Sequence, residues 1–145
     1  MTTFRAGYLF KKITEKIGYK LNSELEQYDL TLSQLRVLTM IIDAHNDNQS
    51  IVQRDIESEL KLSNPTVTGI IKRLELKDYV IKKSCSNDKR ANYLLPTAKA
   101  IAIGKKIPQI FDKSSELLLS CLSKEEQDNL KDYLNRILKN LEEHL

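Results

Sequence analysis

The sequence predicts a mainly α-helical chain broken once, at about residues 79–96, by a two-stranded β-hairpin. Three observations carry this prediction. Apolar residues recur at helical spacing over most of the chain. The period changes in one stretch only, where two extended runs flank the polar turn Ser86-Asn87-Asp88-Lys89-Arg90. Ser or Thr stands at the head of several helical runs, where its hydroxyl can accept from a free backbone N–H. The composition is that of a folded chain: 145 residues, 41% hydrophobic and 30% charged.

The elements follow in order. Phe4, Tyr8, Leu9, Ile13, Ile17, Leu21 and Leu25 form the stripe of a first helix. Thr31-Leu32-Ser33-Gln34 has the capping-box pattern and opens a second helix carrying Leu35, Leu38, Ile41 and Ile42. The polar run 46–50 breaks it. A short third helix, Val52 to Leu60, buries Ile56 and Leu60, and Lys61-Leu62 leaves room only for a turn. Ser63 suits the N-cap of a fourth helix, about Asn64 to Lys77, in which Pro65 is tolerated in the first turn. Val67, Ile70, Ile71 and Leu74 share one face of that helix. Asn64, Pro65, Thr66, Thr68, Gly69, Lys72 and Arg73 lie mostly away from it.

Tyr79–Cys85 and Ala91–Leu95 form the hairpin, ended by Pro96. Thr97 caps a long helix through Ile101, Ile103, Ile107, Ile110, Leu117, Leu118 and Leu122, which Pro108 should kink or split. Ser123-Lys124-Glu125-Glu126 is a second capping box, and the last helix carries Leu130, Leu134, Ile137, Leu141 and Leu145.

Charge is unevenly placed. Residues 50–99 carry a net +4, against 0 for residues 1–49 and −1 for residues 100–145. A local basic surface is what a polyanion binder needs, although a solvated lysine-rich face has the same composition. No apolar run approaches the ~18 residues of a membrane span. The first residues show no secretory signal, and Cys85 and Cys121 have no metal-ligand spacing. A cytoplasmic location is the expectation. Enzyme chemistry finds no support: His45 and His144 are isolated, and there is no phosphate loop, nucleophile elbow or metal cluster, so neither cofactor nor metal is expected.

Helix, short helix, tight turn, helix and basic hairpin, in that order, make a winged helix-turn-helix. A helix of short polar side chains fits the major groove, and a hairpin tip can lay Arg or Lys against phosphates or the minor groove. Here the chain resembles a known family. SNPTVTGIIKRLELKDYV (63–80) and NDKRANYLLPTAKA (87–100) look like the recognition helix and wing of MarR-type regulators. The wing signature is the Asp88-x-Arg90 pair followed by Leu95 and Thr97, and Ser33-Gln34-Leu35 fits the opening of the second helix. Three positions depart from the pattern: Lys61 and Ala100 stand where Gly is usual, and Pro96 replaces a Leu.

The resemblance implies a sequence-specific DNA-binding regulator, a repressor acting on double-stranded DNA as a homodimer and released by a small aromatic or amphipathic effector. It implies that Asn64, Pro65, Thr66, Thr68, Gly69, Lys72 and Arg73 face the major groove or its phosphates. Arg90 would enter the minor groove, with Lys89 beside it also facing DNA, and Asp88 would hold that arginine or the wing in place. A solvated hairpin tip is the alternative for Asp88 and Arg90, local packing or pairing near Glu75 for Arg73, and a helix–helix contact for Gly69.

The expected organisation is one domain, 1–145. A DNA-binding lobe at 31–97 holds the helix-turn-helix (about 52–77) and wing (about 79–96). Dimerisation helices occupy 1–30 and 98–145. Leu130, Leu134, Ile137 and Leu141 form a seam suited to another helix. No cysteine lies in residues 1–30, so thiol sensing there is not supported, and Cys85 and Cys121 are expected to be small packing residues. A winged-helix protein-interaction module without DNA binding is the second reading.

Overall fold

The computed structural model describes the backbone of residues 5–85 and 88–145, and the side chains of 5–85 and 92–145. Phe4 and the expected tip residues Ser86 and Asn87 lie outside the described residues, as do the side chains of Asp88, Lys89 and Arg90. The helices are α1 (Ala6–Leu25), α2 (Leu32–Asn46), α3 (Gln53–Leu60), α4 (Asn64–Leu76), α5 (Ala98–Gly104), α6 (Ile107–Leu119) and α7 (Lys124–His144), with a 3-10 turn at Glu26–Tyr28. Strands β1 (Val80–Cys85) and β2 (Asp88–Pro96) pair antiparallel, from Val80↔Pro96 to Ser84↔Asn92, with an irregularity between Ser84 and Cys85. The expected mainly helical winged helix-turn-helix is the fold observed. The chain forms two compact units, Met1–Ile110 and Phe111–Leu145.

Helix starts follow local chemistry. Thr31 and Gln34 close a full capping box, as do Ser123 and Glu126, and Ser63 and Thr97 cap α4 and α5 with their hydroxyls. Helix ends use residues other than glycine. Asp29, Asn48, Lys61 and Asp78 all have φ between 51° and 62°. Each sits in a left-handed stop, with a backbone bond from the next residue back across the last turn: Leu30 to Leu25, Gln49 to Ala44, Leu62 to Glu57 and Tyr79 to Leu74. Asp and Asn accept this conformation readily; Lys61 carries the usual penalty of a β-carbon there. The departure at Lys61 therefore falls on a position that does need positive φ. Ala100 is helical and fully buried in α5, so the second departure costs nothing of this kind.

Two boundaries differ from expectation: β2 starts at Asp88, inside the expected polar turn 86–90, and α6 stops at Leu119. The long helix after Thr97 is split, one of the two outcomes expected of Pro108. α5 ends at Gly104 and α6 restarts at Ile107, which puts Pro108 in a first turn, where its missing N–H is harmless. Leu122 falls beyond α6, in the turn to α7. The wing also has a partner that the spacing does not announce: Val52 bridges Tyr93, and Leu94 N donates to Ile51 O at 2.9 Å, so Ile51–Val52 adds a third-strand stub to β2.

The core of the first unit is built from α2 and α4, with Val37, Leu38, Ile41, Val67, Ile71 and Leu74 all at most 1% exposed. The end of α4 is fastened by polar contacts. Lys77 Nζ donates to Asp29 O (2.6 Å) and Gln34 Oε1 (3.0 Å) and pairs with the Asp29 carboxylate at 3.4 Å. Tyr79, 1% exposed, donates its hydroxyl to Tyr28 O. Lys99 lies over the Tyr79 ring at 4.2 Å and donates to Lys77 O at 2.7 Å.

Burial raises the Tyr79 phenol above its ordinary pKa of 10.0, with the Asp29 carboxylate and Tyr28 adding to the effect. The folded state therefore favours the neutral phenol. That stabilisation is complete below about pH 10 and is lost as pH rises from there through the raised folded value. Tyr79→Phe is expected to cost about 1–2 kcal/mol at neutral pH, because Tyr28 O loses its donor. It should also flatten the fall in stability above about pH 10. Urea unfolding across that range measures both.

Candidate nucleic-acid interface

α4 has two chemically distinct faces. Val67, Ile70, Ile71 and Leu74 point into the core. Asn64, Pro65, Thr66, Thr68, Lys72 and Arg73 are exposed, and Gly69 is half-buried. All seven residues expected to face DNA thus occupy the side of α4 turned away from the core. The sequence places them there by period alone: the core side of a helix takes every third or fourth residue and leaves the rest outside.

The exposed face is held by a polar network with α3. Gln53, first residue of α3, donates its amide to Thr68 Oγ1 at 2.8 Å and to Glu57 Oε1 at 3.1 Å. Asn64 Nδ2 donates to the same Glu57 oxygen at 2.6 Å. Ser63 Oγ and Thr66 Oγ1 share a 2.8 Å hydrogen bond, beside the cap from Thr66 N. Sequence reasoning missed Gln53 and Glu57. Their four-residue spacing is visible, but their reach to α4 depends on the turn at Lys61.

Gly69 and Arg73 lie side by side on α4. A β-carbon on Gly69 would meet, among the described residues, only Arg73 Nη1, at 3.5 Å, which is ordinary contact. No neighbouring helix among them requires this glycine. Arg73 does not pair with Glu75; that carboxylate takes Lys82 of β1 at 3.2 Å. Lys83 is exposed on the wing, as is Arg54 on α3. Cys85 is half-buried, and its thiol pushes the pKa of the Tyr93 phenol above the ordinary value. Cys121 is exposed, so the packing role expected for it is not filled within the chain.

Comparison with known proteins fits this geometry. The model of the MarR family matches residues 28–91, from the end of the 3-10 turn into the wing. The structure of MepR from S. aureus in complex with DNA has a TM-score of 0.77 at 29% identity, covering 94% of this chain and 98% of that one. A mutant form of S. aureus MepR is 30% identical with a TM-score of 0.79, over 95% of this chain and 99% of its own. The chain belongs to the MarR family. The HTH-type transcriptional regulator YybA of Bacillus subtilis (strain 168) is 28% identical over 121 residues, 83% of this MarR-family chain and 78% of YybA. Among the described residues, no helix of this MarR-family protein is long and apolar enough to cross a membrane.

Gly69→Ala is expected to stabilise the protein by about 0.5–1 kcal/mol, since the helical backbone suits alanine and the space beside it is open. Denaturant titration checks this. No gain, or a loss, would mean that the site is tighter than the 3.5 Å approach of Arg73 indicates.

Proposed function

We propose that this protein is a homodimeric transcriptional regulator that binds a pseudo-palindromic operator through α4 and the wing. It acts in the cytoplasm as a repressor, and a small aromatic or amphipathic effector releases it by favouring a dimer with wrongly spaced recognition helices. The observation that carries the DNA reading is the row of exposed residues on α4, with the half-buried Gly69 among them, opposite its buried face. Short hydroxyl and amide groups at its start suit base edges, and Lys72 and Arg73 at its end suit phosphates. The MepR complex, a relative holding DNA on the same fold, supports it. The repressor and effector readings rest on family membership.

On the wing, Arg90 enters the minor groove, Lys89 meets phosphate and Asp88 positions the arginine. Arg90→Ala should weaken operator binding by on the order of 1–3 kcal/mol. It should also flatten the slope of log affinity against log salt by about one unit for each phosphate no longer neutralised. Asp88→Ala should also weaken binding, although it removes a negative charge facing a polyanion. Gel shifts on the gene's own promoter region at several salt concentrations test both. Tighter binding by Asp88→Ala would remove its positioning role. No salt-dependent binding by the parent to any DNA would favour the protein-interaction module.

Dimerisation is supported by the second unit. α7 spans 21 residues and none of them is buried. Leu134 and Ile137 are each 42% exposed and Leu141 50%, and Leu130 is half-buried. Tyr8, Leu9 and Ile13 of α1 are likewise exposed. An amphipathic helix with an uncovered apolar stripe needs a partner helix. Replacing Leu134 and Ile137 together by Glu would place unpaired charge in that seam. Sedimentation should show the parent as a dimer and the double variant as monomer or unfolded chain; a folded dimeric variant would remove the proposed seam.

A further inference from the structure

The geometry points to Gln53 and Glu57 as positioning residues that fix Thr68 as a hydrogen-bond donor toward DNA, so that one position in each half-site must present an acceptor. This rests on the proposed DNA reading. It goes beyond it by assigning a polarity to one contact and by naming the residues that set it.

Proton counting sets the direction of each bond. An ionised carboxylate has no proton to donate. Glu57 Oε1 sits 3.1 Å from the Gln53 amide and 2.6 Å from the Asn64 amide. Both amides must therefore turn nitrogen toward Glu57, because the opposite flip would set carbonyl oxygen against carboxylate oxygen. With its NH2 fixed there, Gln53 is also a donor to Thr68 Oγ1 at 2.8 Å. The Thr68 oxygen is thus an acceptor within the protein, and its own proton must go elsewhere. A helical threonine commonly donates to the carbonyl one turn back. That bond from Thr68 to Asn64 O is not made in this structure; the two Gln53 amide protons go to Glu57 and Thr68, and Asn64 O lies a longer 3.4 Å from the same nitrogen. Among the described residues the Thr68 hydroxyl has no acceptor of its own, and the residue is exposed.

An outward O–H selects an acceptor. In the major groove these are purine N7, guanine O6 and thymine O4; of the four bases only cytosine, which offers just its N4 amine, presents no acceptor there and is refused. Neither Gln53 nor Glu57 touches the base. Both act through Thr68.

The test is selection of operators from a random library by the full-length protein, followed by affinity measurements on single-position variants. The parent should disfavour cytosine at one base of each half-site, and Thr68→Val should reduce that preference by roughly five- to tenfold at that pair alone. Gln53→Met removes the donor and should relax the same pair. The exchange Gln53→Glu with Glu57→Gln keeps net charge but makes residue 53 an acceptor, which turns the Thr68 proton inward. It should shift the preference at that pair toward an exposed amine. Circular dichroism verifies folding, and if the exchange variant does not fold, Thr68→Val and Gln53→Met decide. Full retention of the parental preference by any folded variant overturns the assignment, as does a uniform loss over all sequences. A parent that binds DNA without selecting any sequence also overturns it; a parent that binds no DNA at all fails the proposed function first.

Discussion

The position of α4 depends on how its C-terminal end is held. The apolar face sets which way the helix rolls, since Val67, Ile70, Ile71 and Leu74 can be buried together in one orientation only. Apolar burial is non-directional, however, and tolerates sliding along the axis. Directional bonds at the far end remove that freedom. Lys77 spans from α4 to the turn at Asp29 and to Gln34, the same side chain that closes the α2 capping box. Tyr79 and Lys99 complete the fastening from the wing side and from α5. Bonds at one end of the helix thus fix where Asn64 and Thr68 sit at the other.

Legibility in the sequence follows range. Capping at Thr31, Ser63, Thr97 and Ser123 is readable because donor and acceptor lie three residues apart. The buried and exposed faces of α4 are readable because one period generates both. The break near Pro108 is readable in kind but not in form, because proline forbids a bond without specifying whether the chain bends or restarts. Contacts across long sequence gaps are not readable. Lys77 to Asp29, Gln53 to Thr68 and Leu94 to Ile51 each join segments whose meeting depends on the assembled core. Lys61 departs from the family pattern, but whether its backbone needs positive φ depends on the turn it makes, and lysine itself carries no such signal.

The seam in α7 is a case where pattern and single-chain burial diverge. Leu134, Ile137 and Leu141 recur at the spacing of a seam for another helix, and within the chain each is at least 42% exposed. A sequence records every surface that is buried in the working state, including surfaces covered by another molecule. The disagreement is therefore informative: it marks which of the apolar residues are not explained by the chain's own fold.

The strand stub at Ile51–Val52 has a consequence for how this protein can change over time. Val52 is at once the N-cap of α3 and the partner of Tyr93 in β2, and the next residue is Gln53. One continuous backbone step thus carries both the root of the wing and the residue that orients Thr68. A change that tilts the wing will also displace the amide that Gln53 presents to α4. Substitutions in the two elements should then compensate or aggravate one another instead of adding, so the wing and the helix are constrained to diverge as a pair.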